Sequence, residues 1–296
     1  NQELIFSQFE GATQCAGFNK WKELGRAVRK GERSIKIMAP TERTKKDDDG
    51  NPVIDFSVGS SRAAEGYRRL RTNLMFVNAA NHPKTILLTS SIPGEGKSTT
   101  IANLALTLAQ SGSRVCLIEA DLRRPRLLEY LGLEGAAGLT DVLIERAMLD
   151  DVLQPYGSDR LDVIGAGAIP PNPSELLASE PMSRVLLNLS ARYDYVLIDT
   201  PPVLPVTDAV VLSTKVDGVI VLVGTTIVRK EQLEATLEAL SAVDNSLLGL
   251  VLNRVGHKSA GGYGAGYYGY YDRETSSRKE RKSPKARSGL LGRRRG

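Results

Sequence analysis

The segment Ser91-Ile92-Pro93-Gly94-Glu95-Gly96-Lys97-Ser98 carries two glycines, a lysine and a serine at the spacing of a phosphate-binding loop. In such loops, backbone N–H groups and a helix N-terminus converge on phosphate oxygens. The lysine reaches the β- and γ-phosphates, and the serine hydroxyl binds Mg²⁺. Ser91 stands where the usual pattern has its first glycine. Pro93, Gly94, Glu95, Gly96, Lys97, Ser98 and Thr99 are therefore candidate nucleotide contacts, with ATP and Mg²⁺ as the expected ligands. Two acid-bearing segments follow. The run Val115-Cys116-Leu117-Ile118 leads into Glu119-Ala120-Asp121. Side chains alternate along a strand, so the two acids share a face if the chain stays extended. One can hold Mg²⁺ while the other accepts a proton from an attacking hydroxyl. A solvated acidic strand end is the competing explanation. In Tyr195-Val196-Leu197-Ile198-Asp199 an apolar run again ends in an acid, the pattern of a second Mg²⁺-holding carboxylate. The catalytic candidates are Lys97, Glu119, Asp121 and Asp199, and the metal-ligand candidates are Ser98, Glu119 and Asp199.

Positioning these groups requires strands that end beside one another. Apolar, β-prone runs occur at Thr85–Thr89, Arg114–Ile118, Leu161–Ile164, Tyr195–Ile198, Gly218–Val223 and Leu248–Leu252. Helical patterns lie between them, among them Thr99–Gln110 and Glu231–Ala242. Alternating strands and helices predict an α/β fold, a doubly wound and mainly parallel sheet of the P-loop NTPase type. Ligands bind such sheets at the carboxyl ends of the strands. Three regions are expected: a small N-terminal α+β segment over 1–56, the P-loop domain over 60–255, and a disordered tail over 256–296. The stretch from Lys45 to Pro52 is charged and contains Gly50, so it reads as a loop, and the junction falls between Gly50 and Ser61.

The chain has 296 residues, of which 41% are hydrophobic, enough for a substantial core. It contains no apolar run of about 18 residues of the kind that crosses a membrane. Asn1–Glu10 lacks the basic start and apolar centre of a secretory leader. Cys15 and Cys116 are too few for a disulfide framework and fit a reducing compartment. From Arg273 to Gly296 there are ten Lys or Arg against two Glu, a net of +8, so the rest of the +5 chain sums to −3. The basic character belongs to the tail. A solvated basic tail needs no partner, although acidic lipid or nucleic acid would be attracted to it.

Taken together, the P-loop Pro93–Ser98, the segment Glu119-Ala120-Asp121-Leu122-Arg123, the segment Leu197-Ile198-Asp199-Thr200-Pro201-Pro202 and the segment Pro170–Leu177 resemble the bacterial tyrosine kinases. These are P-loop proteins, unrelated to eukaryotic kinases, that govern polysaccharide export. The resemblance covers about residues 60 to 271. It implies an ATP-dependent protein tyrosine autokinase (a non-specific protein-tyrosine kinase) acting in exopolysaccharide or capsule synthesis and export. The family usually has Asp where this chain has Glu119. Glu65, Arg68 and Arg71 match the family's Glu-x-x-Arg-x-x-Arg pattern, one stripe on a helix, and imply the interface of a homo-oligomeric ring. Tyr263, Tyr267, Tyr268, Tyr270 and Tyr271 make up five of the chain's ten tyrosines and resemble the family's autophosphorylation cluster. The implied partners are tail tyrosines of neighbouring subunits, a membrane adaptor of the polysaccharide chain-length type and a tyrosine phosphatase. The implied location is the cytoplasm, at the inner face of the plasma membrane. Asn253 sits where related folds contact adenine.

Residues 1–56 differ in character. Phe18, Trp21 and the neighbouring Lys20, Lys22, Arg26, Arg29 and Lys30 resemble part of the N-terminal single-stranded-DNA-binding domain of antirestriction proteins of the ArdC type. The aromatics can stack on bases, or they can form the small core of the segment. Three functions are thus open: an autokinase, an organising ATPase of the ParA/MinD kind, and a nucleic-acid-binding protein. The organising ATPases carry a second lysine early in the P-loop, where this chain has Ile92.

Overall fold

The structure is a computed structural model that describes residues 45–46, 52–53, 62–76 and 83–255. Short strands β1 (Lys45–Lys46) and β2 (Pro52–Val53) pair antiparallel at the two ends of the segment expected to be a loop. The main sheet comprises β3 (Thr85–Ser90), β4 (Val115–Glu119), β5 (Gln154–Tyr156), β6 (Ser158–Ile164), β7 (Tyr195–Asp199), β8 (Gly218–Gly224) and β9 (Leu247–Asn253). Its order is β5-β6-β4-β7-β3-β8-β9, parallel throughout except for the antiparallel edge pair β5–β6. All six expected strands form, each within a few residues of its expected bounds. The edge strand β5 was not anticipated, because Gln154-Pro155-Tyr156 is short and contains a proline that only an edge tolerates.

Eight α-helices are described besides a 3-10 turn at Leu149–Val152: α1 (Arg62–Phe76), α2 (Lys97–Gln110), α3 (Leu127–Leu131), α4 (Leu139–Leu143), α5 (Pro173–Ala178), α6 (Glu180–Arg192), α7 (Asp208–Ser213) and α8 (Lys230–Ser241). The central strands read as continuous apolar runs because both of their faces are covered. Alternate residues go to opposite cores. Ile86, Leu88, Leu117, Leu197 and Ile220 pack under α1, α2 and α3, while Leu87, Ile118, Ile198, Val219 and Val221 pack under α6, α7 and α8. Helix α1 belongs to this core through Tyr67, Leu70 and Leu74, all buried. Helix α2 starts two residues before the Thr99 expected from the pattern. Gly96, at φ +99°, supplies the left-handed turn that lets the helix begin directly at Lys97.

The sheet order brings the ends of β3, β4 and β7 together. The connection from β7 to β8 crosses β3, so the crevice opens where the chain reverses direction across the sheet. Since α1 is held mainly by its buried apolar side chains, replacing Leu70, fully buried, with Ala should destabilise the chain by about 2–5 kcal/mol. Urea denaturation would show this, and an unchanged midpoint would mean that α1 is not part of the folded core.

Candidate active site

The P-loop leaves β3 at Ser90 and ends at Lys97, the first residue of α2. Lys97 is buried, Ser98 is half-buried, and Pro93, Gly94 and Thr99 are exposed on the outer lip. Glu95, expected to contact nucleotide, turns inward instead and is fully buried. Its Oε1 accepts the Ile92 N–H at 2.9 Å and its Oε2 accepts the Gly224 N–H at 2.6 Å. Its carbonyl accepts the Asn253 Nδ2–H at 2.8 Å. The P-loop is thereby stapled to the carboxyl ends of β8 and β9. A Cβ on Gly96 would lie 2.5 Å from Asn253 Nδ2 and displace that amide from the staple, and at φ +99° any other residue would also be strained. Asn253, expected at the adenine base, is engaged in this staple, and its Oδ1 also accepts the Arg254 N–H at 2.8 Å.

Glu119 and Asp199 are direct register partners on adjacent strands. Both strands end at these acids, just beyond the hydrophobic sandwich. Asp199 is buried, and among the described residues its Oδ1 has no hydrogen-bond partner. Burial pushes its carboxyl up to about 7, against the opposing pull of the Ser98 hydroxyl and the Lys97 ammonium; Glu119 and Asp121 push it further up. An orphaned, buried carboxylate oxygen beside a serine hydroxyl at a helix N-terminus is a donor set that fits a hard divalent cation. Ser98 and Asp199 are the residues that can hold one.

The two acids of the β4 segment do not share a face. The strand stops at Glu119, and the Ala120 N–H donates to the Asp199 carbonyl at 2.8 Å. Asp121 then caps a turn, its Oδ1 accepting the Arg124 N–H at 3.0 Å and the Arg123 N–H at 3.3 Å. Burial raises its carboxyl, and the Lys97 charge partly offsets that rise. Glu119 is buried against backbone. Its Oε1 accepts the N–H groups of Arg126 and Leu127, the latter at 2.5 Å, and its Oε2 lies 3.4 Å from the Ala166 N–H.

A second layer links the surrounding loops. Asp208, at the start of α7, is fully buried. Its Oδ2 accepts Arg123 Nε–H at 2.8 Å, and its Oδ1 accepts Arg123 Nη2–H at 3.0 Å and the Ser174 hydroxyl. This fork fixes the β4 loop against α5 and α7. Asp208 has no motif around it, and only its burial among apolar neighbours singles it out. On α1, Glu65 pairs with Arg68 at 3.2 Å and with Arg69 at 3.7 Å, while Arg71 donates to the Thr107 carbonyl of α2 at 3.3 Å. The stripe is therefore partly spent on contacts within the subunit. Tyr263, Tyr267, Tyr268, Tyr270 and Tyr271, and nearly all of residues 1–56, lie outside the described residues. No described helix is long and apolar enough to cross a membrane.

A family model described as an AAA domain matches residues 83–249, more than half of the chain. A second, the N-terminal domain of anti-restriction factor ArdC, matches residues 1–81. That match runs through α1, whose buried side chains pack into the P-loop domain. The tyrosine-protein kinase YwqD of Bacillus subtilis is 41% identical over 220 residues, which is 74% of this chain and 92% of YwqD. The tyrosine-protein kinase Wzc of Salmonella typhimurium is 34% identical over 221 residues, 75% of this chain but 30% of Wzc. The kinase domain of Escherichia coli tyrosine kinase ETK superposes with a TM-score of 0.67 at 29% identity, covering 79% of this chain and 92% of that domain. A glycine loop, a paired serine and aspartate, and two further acids at and just beyond a strand end of a seven-stranded sheet thus coincide with relatedness over most of the chain, and the chain belongs to the bacterial tyrosine-protein kinases.

Proposed function

We propose that this kinase transfers the γ-phosphoryl group of ATP to tyrosine hydroxyls of its own tail, Tyr263 to Tyr271, presented by a neighbouring subunit. The observation that carries phosphoryl transfer is the buried Asp199 with its orphaned oxygen beside Lys97 and Ser98. Relatedness to tyrosine kinases supports tyrosine as the acceptor. The P-loop amides hold the phosphates, and Lys97 balances the charge that spreads over the γ-phosphoryl oxygens. Ser98 and Asp199 are the residues that would hold Mg²⁺, which when bound would supply positive charge to the phosphate oxygens. Asp121 takes the phenolic proton as the tyrosine oxygen bonds to phosphorus and the bond from phosphorus to the bridging β-phosphate oxygen breaks. The products are phosphotyrosine and ADP. Glu65, Arg68 and Arg71 line the subunit contact that brings tail and site together. Each phosphate adds about −1.5 to −2 charge to a tail that starts strongly basic, which loosens that assembly. A membrane adaptor, a phosphatase, and a role in polysaccharide export at the inner membrane face complete the proposal.

A second reading rests on the ArdC match. Residues 1–56 contact single-stranded DNA through Phe18, Trp21 and the surrounding lysines and arginines. Fluorescence anisotropy with an oligonucleotide should then show affinity that falls steeply with salt and is lost in Trp21→Ala. Salt-independent or absent binding would remove this reading.

The kinase reading is tested by incubating the full chain with Mg-ATP, with and without a candidate adaptor peptide, and mapping phosphate by mass spectrometry. Phosphate is expected on tyrosines between Tyr263 and Tyr271, with a loss of more than a hundredfold in Lys97→Met or on removing Mg²⁺ with EDTA. ATP hydrolysis without phosphotyrosine would instead indicate an organising ATPase.

The state of Asp199 gives a separate check. The folded chain keeps its proton up to about pH 7, whereas an ordinary aspartate releases it near 3.8. Without metal, stability therefore falls as pH rises across that interval. Asp199→Asn should melt roughly 5–10 °C above the unsubstituted protein in EDTA at pH 8, and the gap should close toward pH 4. A gap independent of pH would contradict the buried charge.

A further inference from the structure

We infer that Glu119 is a positioning residue, and that Asp121 alone of the two acids in this segment acts on the reacting groups. The inference rests on the kinase reading and divides labour within that site. Glu119 projects to the face of the sheet where α3 begins. Its Oε1 is taken by two successive N–H groups, those of Arg126 and Leu127, and its Oε2 faces the Ala166 N–H at 3.4 Å. These amides belong to the segments that follow β4 and β6, and the Glu119 carboxylate bridges the two. Turning its carboxylate toward a metal would strand the buried N–H groups of Leu127 and Ala166, for which no other partner is described. The extra methylene relative to aspartate is what gives Glu119 the reach to the start of α3.

Asp121 is placed differently. Its Oδ1 is used locally by Arg123 and Arg124, no hydrogen-bond partner is described for its Oδ2, and it lies within reach of the Lys97 and Arg123 charges. The loop that Glu119 anchors, residues 120 to 126, is the loop that carries Asp121 and the Arg123 fork to Asp208. Glu119 thus holds the register of Asp121 against the P-loop without touching substrate.

The test is the rank order of Glu119 variants. A metal ligand or base needs the charge, so aspartate would substitute better than glutamine. An anchor needs length and an acceptor oxygen, so Glu119→Gln should lose less than about tenfold in autophosphorylation, with an unchanged Mg²⁺ half-saturation and pH profile. Glu119→Asp, too short to reach Arg126 and Leu127, should lose about tenfold to a hundredfold, mainly in kcat. Asp121→Asn should lose more than a thousandfold. Aspartate outperforming glutamine, or a raised Mg²⁺ requirement in Glu119→Gln, would overturn the assignment. Amide exchange in the unsubstituted protein reads the same question even if Glu119 variants fold poorly or no phosphotransfer is seen. Arg126 and Leu127 should exchange slowly with or without Mg-ADP, whereas release of these amides on adding Mg-ADP would show Glu119 leaving to bind the metal. Loss of phosphotransfer in every protein, with protection intact, would count against the kinase reading and not against this one.

Discussion

Three carboxylates, Glu119, Asp121 and Asp199, stand at the carboxyl ends of adjacent strands, and Asp121 and Asp199 share Lys97 as a nearby cation. Burying like charges together is costly, and burial raises the carboxyl of each of them. The site exists because the fold settles each acid differently. Glu119 is neutralised in effect by backbone amides of two loops, and Asp121 by the amides of its own turn. Asp199 is left with an oxygen that no described protein group satisfies. That residual demand for positive charge is one that a bound divalent cation would answer. The sheet order, with β7 between β4 and β3, is what presses the demand against the P-loop.

The loops around this edge hold one another. Glu95 and Asn253 tie the P-loop to β8 and β9, and Asp208 ties the β4 loop to α5 and α7 through Arg123 and Ser174. Backbone groups that bind phosphate must be fixed before the ligand arrives, since every ångström of slack weakens both binding and transfer. Asn253 also adjoins the last described residues, Arg254 and Val255, from which the tyrosine-bearing tail continues. The root of the tail and the phosphate loop therefore share a side chain.

Much of this was legible in the chain. The strands announced themselves because parallel strands buried on both faces are unbroken apolar runs, and the P-loop because glycines and a lysine at fixed spacing have few other uses. Glu95 and Asn253 were harder. A charged residue inside a nucleotide motif reads as a ligand contact, and only the fold shows that Gly224 lies close enough to take its carboxylate. The pairing of Glu119 with Asp121 failed for a related reason. Alternation puts residues two apart on one face only while the strand lasts, and β4 ends at Glu119. Asp208 was invisible, since its partner Arg123 lies 85 residues away in sequence.

Asp199 is a buried carboxylate with one unsatisfied oxygen, which suits it to receive a metal–nucleotide complex. Titration calorimetry of ADP, with and without Mg²⁺, on the unsubstituted protein and on Asp199→Asn tests it most directly. Mg²⁺ should tighten ADP binding at least tenfold at pH 8 in the unsubstituted protein and have little effect in Asp199→Asn, while metal-free ADP should bind the substituted protein no worse. An equal Mg²⁺ enhancement in both proteins would place the metal elsewhere and contradict it.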